Sequence, residues 1–353
     1  MLGLAGGLLG LLWGPLGVVV AAPAAWSAEW IITVAEHGSD LPTAAVTWGT
    51  SPAALLLLTG LCLMLVLLAP RLLGQSSTAL ACTGLLVAGV LVRLPSPGWP
   101  PDGWVLAMCD VGQGDGLVLR AGQGSAVVVD AGPDPALMAS CLDRLDITSV
   151  PLVVLTHFHA DHVDGLAGVV QGRRVGEVDA SSLLEPPGGV RQVAEVLGAD
   201  PGVPAYGVTR TVGDVTLQAV WPPPDGGVTD PGESAPNNAS VVLLAEVGGV
   251  RILLTGDVEP SAQDALERTL AGLRVDVLKV PHHGSRHQDL PWLTSLGAGV
   301  ALVSVGAGND YGHPSGDLLA GLAATGADVW RTDTSGDVVV VVRQGEVGVV
   351  TRG

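Results

Sequence analysis

The chain has 353 residues, of which only 14% are charged, and its formal net charge is −18. With a positive mean hydropathy, this composition excludes a wholly soluble protein and leaves room for a membrane region beside folded domains. Residues 1–94 hold two arginines and three acidic residues, so nearly all of the negative charge falls on residues 95–353. That imbalance argues against a basic face for tight, salt-sensitive nucleic-acid binding.

Residues 2–22 are apolar over the roughly 20 residues needed to cross a bilayer. No Lys or Arg precedes Arg71, so the basic segment of a secretory signal is missing and the stretch reads as a membrane helix. Residues 24–50 place Trp26, Trp30, Ile31 and Val34 at helical spacing with Glu29, Thr33 and Glu36 between them. This is the pattern of an amphipathic helix in the membrane interface, and packing against neighbouring membrane helices gives the same one. Two further apolar runs, 53–69 and 78–92, contain no charge. Residues 1–93 therefore read as a short all-α, multi-pass membrane region. Arg71, between the two runs, places that loop inside by the positive-inside tendency and everything after the last run outside, while Arg93 pulls the other way.

Residues 94–103 (LPSPGWPPDG) cannot continue a helix and read as a stiff linker. From 104 to 353 the pattern changes to short apolar, β-prone runs punctuated by Gly, Asp and Pro: 105–111, 116–119, 126–129, 151–155, 241–245, 251–254, 275–280, 300–305 and 338–342. Helical patterns fall at 135–145, 191–197, 261–270 and 315–324. This order predicts an α/β domain of two sheets covered by helices, an αββα sandwich. The cysteines Cys62, Cys82, Cys109 and Cys141 lack C-x-x-C spacing and mark neither a zinc ribbon nor a disulfide framework.

The densest chemistry lies in Thr156-His157-Phe158-His159-Ala160-Asp161-His162, directly after an apolar run. Three imidazoles and a carboxylate beside a buried strand cost about 2 kcal/mol or more each unless something satisfies them. A divalent ion is the natural partner. His157 and His159 share a direction through the two-residue strand period, while Asp161 and His162 lie in the following turn. One pair can hold one ion and the other a second. The spacing H-x-H-x-D-H resembles the signature of the metallo-β-lactamase fold superfamily.

Further landmarks resemble one family within it. Asp110-Val-Gly-Gln-Gly-Asp115-Gly, Val129-Asp130-Ala-Gly132, Asn237-Asn238-Ala-Ser240, Leu254-Thr-Gly256-Asp257, Leu278-Lys279-Val-Pro-His282-His283-Gly284-Ser285 and Asn309-Asp-Tyr311-Gly312-His313-Pro314 follow the order found in the C-terminal domain of ComEC-type DNA-internalisation (competence) proteins. The chain is similar to the C-terminal portion of such a protein, as a split gene, a truncated one or an independently working remnant.

The resemblance implies a metallo-β-lactamase-fold hydrolase carried by a bacterial plasma membrane, its domain on the outer face. Its cofactors would be two divalent metal ions, Zn²⁺ or Mn²⁺. His157 and His159 would ligate one ion, Asp161 and His162 the other, Asp257 would bridge them, and one of His282 and His283 would complete the second site. Asp130 would orient a ligand histidine. No histidine lies between His162 and His282, so Asn237 or Asn238 stands where the wider superfamily has its third histidine motif, which leaves Mn²⁺ plausible. Such a pair of ions lowers the pKa of a shared water from about 16 towards 7 and clamps a phosphodiester, with Asp161 at the centre of that chemistry. Lys279, His313 and Ser285 are candidates for holding the phosphate or protonating the leaving oxygen. The Gly112–Gly116 stretch lacks the G-K-[ST] ending of a phosphate-binding loop and reads as a tight turn, with Gln113 and Asp115 able to border the site. His287 and His37 read as surface residues.

The implied substrate is single-stranded DNA during uptake, with a separate ComEC-like channel chain and the uptake machinery as partners. A cell-envelope phosphodiester, or an inactive fragment, are the alternatives.

Overall fold

In the computed structural model, residues 13–39, residues 98–352 and a few isolated positions are described. The chain divides into two compact units, Met1–Ser96 and Pro97–Gly353. In the first unit, one helix runs Gly14–Ser39 through Pro23. Gly17–Val34 within it is long and apolar enough to cross a membrane. The sequence reading broke this region into a span ending at residue 22 and an interfacial helix after it. The described helix is instead continuous, with Trp26, Ile31 and Ile32 exposed. Ser27 Oγ donates to the Pro23 carbonyl, four residues earlier, at 2.8 Å. The apolar runs 53–69 and 78–92, and most of residues 2–12, lie outside the described residues.

The second unit is two seven-stranded mixed sheets. The first orders its strands β14 (Glu346–Arg352), β13 (Asp337–Arg343), β1 (Trp104–Met108), β2 (Leu117–Gly122), β3 (Ser125–Val129), β4 (Ser149–Leu155) and β5 (Arg174–Ala180). The second runs β12 (Asp328–Arg331), β11 (Val300–Val303), β10 (Val277–Lys279), β9 (Val250–Leu254), β8 (Val242–Val247), β7 (Val215–Trp221) and β6 (Thr209–Val212). β3, β4 and β5 are parallel to one another, as are β9 to β12, and the other pairings are antiparallel.

Strands buried on both faces explain why the apolar runs are continuous. In β3, Val127 and Val129 enter the core between the sheets while Ala126 and Val128 pack under the outer helices. β13 does the same with Val338 and Val340 inward, Val339 and Val341 outward. Helices Pro135–Arg144, Leu166–Val170 and Pro187–Leu197 cover one sheet through Met138, Leu142, Leu166 and Val193. Pro260–Thr269, Leu290–Ser295 and Gly316–Ala324 cover the other through Leu266, Trp292 and Leu322. The result is the αββα sandwich. β8 and β9 are joined by Gly248 and Gly249, both at positive φ (59° and 80°), as a two-residue hairpin of this twist requires.

Cys109, just after β1, and Cys141, in the helix Pro135–Arg144, form a disulfide with Cα atoms 5.9 Å apart. Spacing alone hid this pair: the two cysteines are 32 residues apart and meet only because the helix folds back over the sheet.

Candidate metal centre

The site forms where strands of both sheets end. β4 delivers Thr156 and His157, and two short helices, Ala160–Val163 and Leu166–Val170, follow. β9 delivers Asp257, and β10 delivers Lys279 and the His282–Gly284 turn. His282 and His283 both adopt positive φ, 49° and 51°. Each such non-glycine residue costs roughly 1–2 kcal/mol, strain of the kind that clusters at functional sites.

Asp161, His162, Asp257 and His283 each aim one ligand atom into a common space, all four within 4.8 Å of one another, and could hold a metal ion. Their outer atoms are fixed. His162 Nδ1 lies 2.9 Å from Asp130 Oδ2, leaving Nε2 3.3 Å from Asp257 Oδ2. His283 Nδ1 lies 2.9 Å from the Ser304 carbonyl, leaving Nε2 3.2 Å from Asp161 and 3.3 Å from Asp257. Within the protein, His162 Nε2 and His283 Nε2 are buried without a hydrogen-bond partner among the described residues. Orphaned donor atoms that converge in this way fit a cation.

Electrostatics agree. Burial opposes the imidazolium of His162, but Asp257, Asp130 and Asp161 override it and push its pKa well above the usual value. His283 moves the same way, burial being overridden by Asp257 and Asp115. Burial would raise the Asp257 carboxyl, yet His283 and His162 hold it well below the usual range. Asp161 is lowered against its burial by His162 and His283.

His157 and His159 form the neighbouring half. His157 Nε2 is 3.0 Å from His159 Nδ1, and His157 Nδ1 is held by Thr156 Oγ1 at 3.1 Å and Ser240 Oγ at 3.3 Å. Burial, reinforced by the charge on His162, pushes the His157 pKa well below normal. His159 is lowered too, chiefly by burial.

Asp130, at φ 59°, accepts from Thr156 N at 2.7 Å and Thr156 Oγ1 at 2.8 Å as well as facing His162. It thus ties the end of β3 to the metal-facing turn. Burial raises its pKa against the pull of His162.

Lys279 is a correction. It is fully buried, donates to the Gly256 carbonyl at 2.9 Å, pairs with Asp115 and stands 3.6 Å from Asp257 Oδ1. A side chain enclosed behind Asp257 cannot hold a substrate phosphate or protonate a leaving oxygen. The reading missed that an ammonium at the end of a buried strand finds its counter-ion in the Gly112–Gly116 turn. Gly114 lets that turn run beneath the metal-facing loop, since a Cβ there would meet Asp161 O at 2.1 Å. Gln113 receives the Gly306 N–H at 3.1 Å and braces the turn. Ser285, also buried, accepts from His287 N at 3.2 Å.

His282 stays beside the cluster, partly exposed, 4.0 Å from Asp257 and 3.6 Å from Glu259. The two adjacent histidines thus separate, His283 buried within the cluster and His282 at its partly exposed rim. Asn237 Nδ2 donates to Glu259 Oε1 at 2.9 Å. Asn238 is bound into the scaffold: it accepts from Glu259 N at 2.8 Å and donates to Glu233 at 2.7 Å. Glu259 was not singled out as a partner, having no motif of its own, and Ser240 stood only as the last residue of the Asn237–Ser240 landmark, with no role attached. His313 is half-buried beside His282, ring centroids 5.5 Å apart, and burial together with His282 and His283 lowers its pKa to about 4.

The metallo-beta-lactamase superfamily profile matches residues 109–306. ComE operon protein 3 of Bacillus subtilis (strain 168) is 27% identical, the match covering 88% of this chain and 42% of that protein. Competence protein ComA of Neisseria gonorrhoeae is 27% identical over 91% of this chain and 43% of its own length. This chain therefore spans less than half the length of these relatives. Among solved structures, zinc-bound PqqB of Methylobacterium extorquens is 14% identical with a TM-score of 0.46, covering 64% of this chain and 98% of that one. The chain belongs to the metallo-beta-lactamase superfamily, and its domain is related to the ComEC competence proteins.

Proposed function

We propose that this protein is a membrane-anchored, metal-dependent phosphodiesterase that cleaves single-stranded DNA in competence-related uptake. The observation that carries the reading is the convergence of Asp161, His162, Asp257 and His283, with the inward Nε2 atoms of both histidines buried and unpartnered among the described residues. These four would hold one divalent ion, Zn²⁺ or Mn²⁺, and His157 with His159 a second. When bound, the ions supply an acidified water and polarise the phosphodiester. The chain's own residues do the rest. Asp130 and Ser304 fix the tautomers of His162 and His283. His282, partly exposed at the rim of the cluster with Nε2 4.0 Å from Asp257, is placed to hydrogen-bond the substrate there. His313, neutral with its pKa near 4, offers the substrate a hydrogen bond rather than a charge.

The name of the Neisseria gonorrhoeae relative, a competence protein, supports a competence-related role over other hydrolase chemistry. The disulfide Cys109–Cys141 supports a domain on the outer, oxidising side of the plasma membrane, with the helix Gly14–Ser39 as anchor. A separate channel chain would be the partner that moves the surviving strand. The domain's acidity favours a second reading, a small envelope phosphodiester, because a polyanion gains nothing from this surface apart from the ions themselves.

The test is cleavage of single-stranded DNA by the full chain in detergent with Mn²⁺ or Zn²⁺, beside the Asp161→Ala/His162→Ala double variant. Cleavage is expected in the first and absent in the second. Stoichiometric metal binding with intact DNA would overturn the nuclease reading and move the search to small diesters.

A further inference from the structure

Beyond the metal centre, aromatic rings continue outward in an unbroken series. His162 and His283 have centroids 5.3 Å apart, His283 and His282 6.2 Å, His282 and His313 5.5 Å, and His313 and Tyr311 5.8 Å. The last pair is stacked, with an interplanar angle of 29°. Tyr311 ends the series at the surface, 70% exposed.

A single exposed tyrosine needs no explanation, but this one is presented by a built loop. Asn309 spans it, donating to the Gly306 and His313 carbonyls at 3.0 Å and 2.7 Å and accepting from His313 N at 3.1 Å. The loop geometry is thereby fixed, and His313 supports one face of the ring while the other stays open. Arg286, just after the His282–Gly284 turn, is exposed and has no carboxylate partner among the described residues. The Gly284 carbonyl, two residues before it, accepts from Ser315 N at 2.8 Å, which ties this turn to the loop that carries Tyr311. In a domain this acidic, an unpaired guanidinium beside the site is a rare cation.

We propose that Tyr311 and Arg286 form a nucleotide subsite flanking the cleaved bond: the nucleobase stacks on the open face of Tyr311 and a neighbouring phosphate pairs with Arg286. The subsite rests on the phosphodiesterase reading and names its substrate class as base-bearing polynucleotide. Stacking tolerates any base, because every base has a π-face. It also lets an acidic domain engage DNA, since one stacked base and one guanidinium contact act where the ions already attract phosphate.

The experiment compares KM for a single-stranded oligonucleotide and for the same oligonucleotide with abasic residues around the cleavage position, using the full chain with Mn²⁺. Wild type is expected to favour the base-bearing strand by about tenfold. In Tyr311→Ala that preference falls to near unity, while Tyr311→Phe keeps it. Arg286→Gln flattens the slope of log KM against log salt by about 0.7, the value of one lost phosphate contact on a single strand. An equal preference in wild type and Tyr311→Ala, with DNA still cleaved, overturns the subsite and leaves the phosphodiesterase standing. Failure of wild type to cleave or bind either strand overturns both.

Discussion

The two halves of the candidate centre stand side by side and are built on opposite principles. Around Asp161, His162, Asp257 and His283 the protein gathers carboxylates, and the two imidazoles have raised pKa values because of them. Around His157 and His159 the near contacts are a threonine and a serine hydroxyl, and both imidazoles have lowered values because burial dominates. The first half is poised for a cation before any arrives, and protons stand in for it. The second is neutral and waits. On the proposed reading the two ions are therefore unequal, the carboxylate half binding first and more tightly.

The sharpest break of that comparison is Asp257→Ala, which removes the carboxylate that stands 3.3 Å from the Nε2 atoms of both metal-facing imidazoles. DNA cleavage should fall by about 1,000-fold, equivalent to about 4 kcal/mol of barrier. Steady-state kinetics with metal content measured in parallel would show it, and a loss below tenfold would contradict the assignment. Lys279→Ala tests what lies behind the charged half. It removes the ammonium paired with the buried Asp115 carboxylate, leaving only His283 Nδ1 at 3.4 Å as a close partner, and the fold should lose about 3–5 kcal/mol in denaturant unfolding. A stability change within about 1 kcal/mol would mean that the pair is not the brace described. Asp130→Asn is milder: without the full carboxylate facing His162, metal affinity should fall by about 10–100-fold, while affinity at the His157 half stays unchanged.

The pH dependence sharpens the contrast further. His162 and His283, raised above their usual values by the carboxylates around them, hold their protons to higher pH in the metal-free protein, and each proton must leave before its imidazole can ligate. Affinity at their half should rise with pH by up to about 100-fold per unit while both remain protonated, and weaken on acidification. His157 and His159, lowered, are already neutral, so their half should change little between about pH 6.5 and 8. Metal titrations at several pH values would separate the two.

Much of this was legible in the sequence wherever residue type and burial coincide. β3, β4, β9, β11 and β13 are apolar runs because both faces are covered, and the H-x-H-x-D-H spacing placed four site residues together. The edge strands were missed for the converse reason. β5 (RVGEVDA), β6 (TRTV), β12 (DVWR) and β14 (EVGVVTR) have only one neighbour in the sheet and stay polar. β7 did carry an alternation, Val215, Leu217 and Ala219 facing the core, that was readable and overlooked. At the site, the sequence left open which of His282 and His283 turns inward, because the choice is made by two positive-φ residues and the Ser304 carbonyl, a partner 21 positions away. It also misjudged Lys279, whose burial depends on Asp115, distant in sequence and brought close by the Gly114 approach.

One measurement bears most directly on the unequal centre: calorimetric titration of the metal-free full chain with Mn²⁺, repeated in buffers of different ionisation enthalpy. Two binding events are predicted, the tighter one releasing protons in a buffer-dependent heat and the weaker one releasing few or none. A single class of equivalent sites without proton release, or no stoichiometric binding at all, would contradict the account.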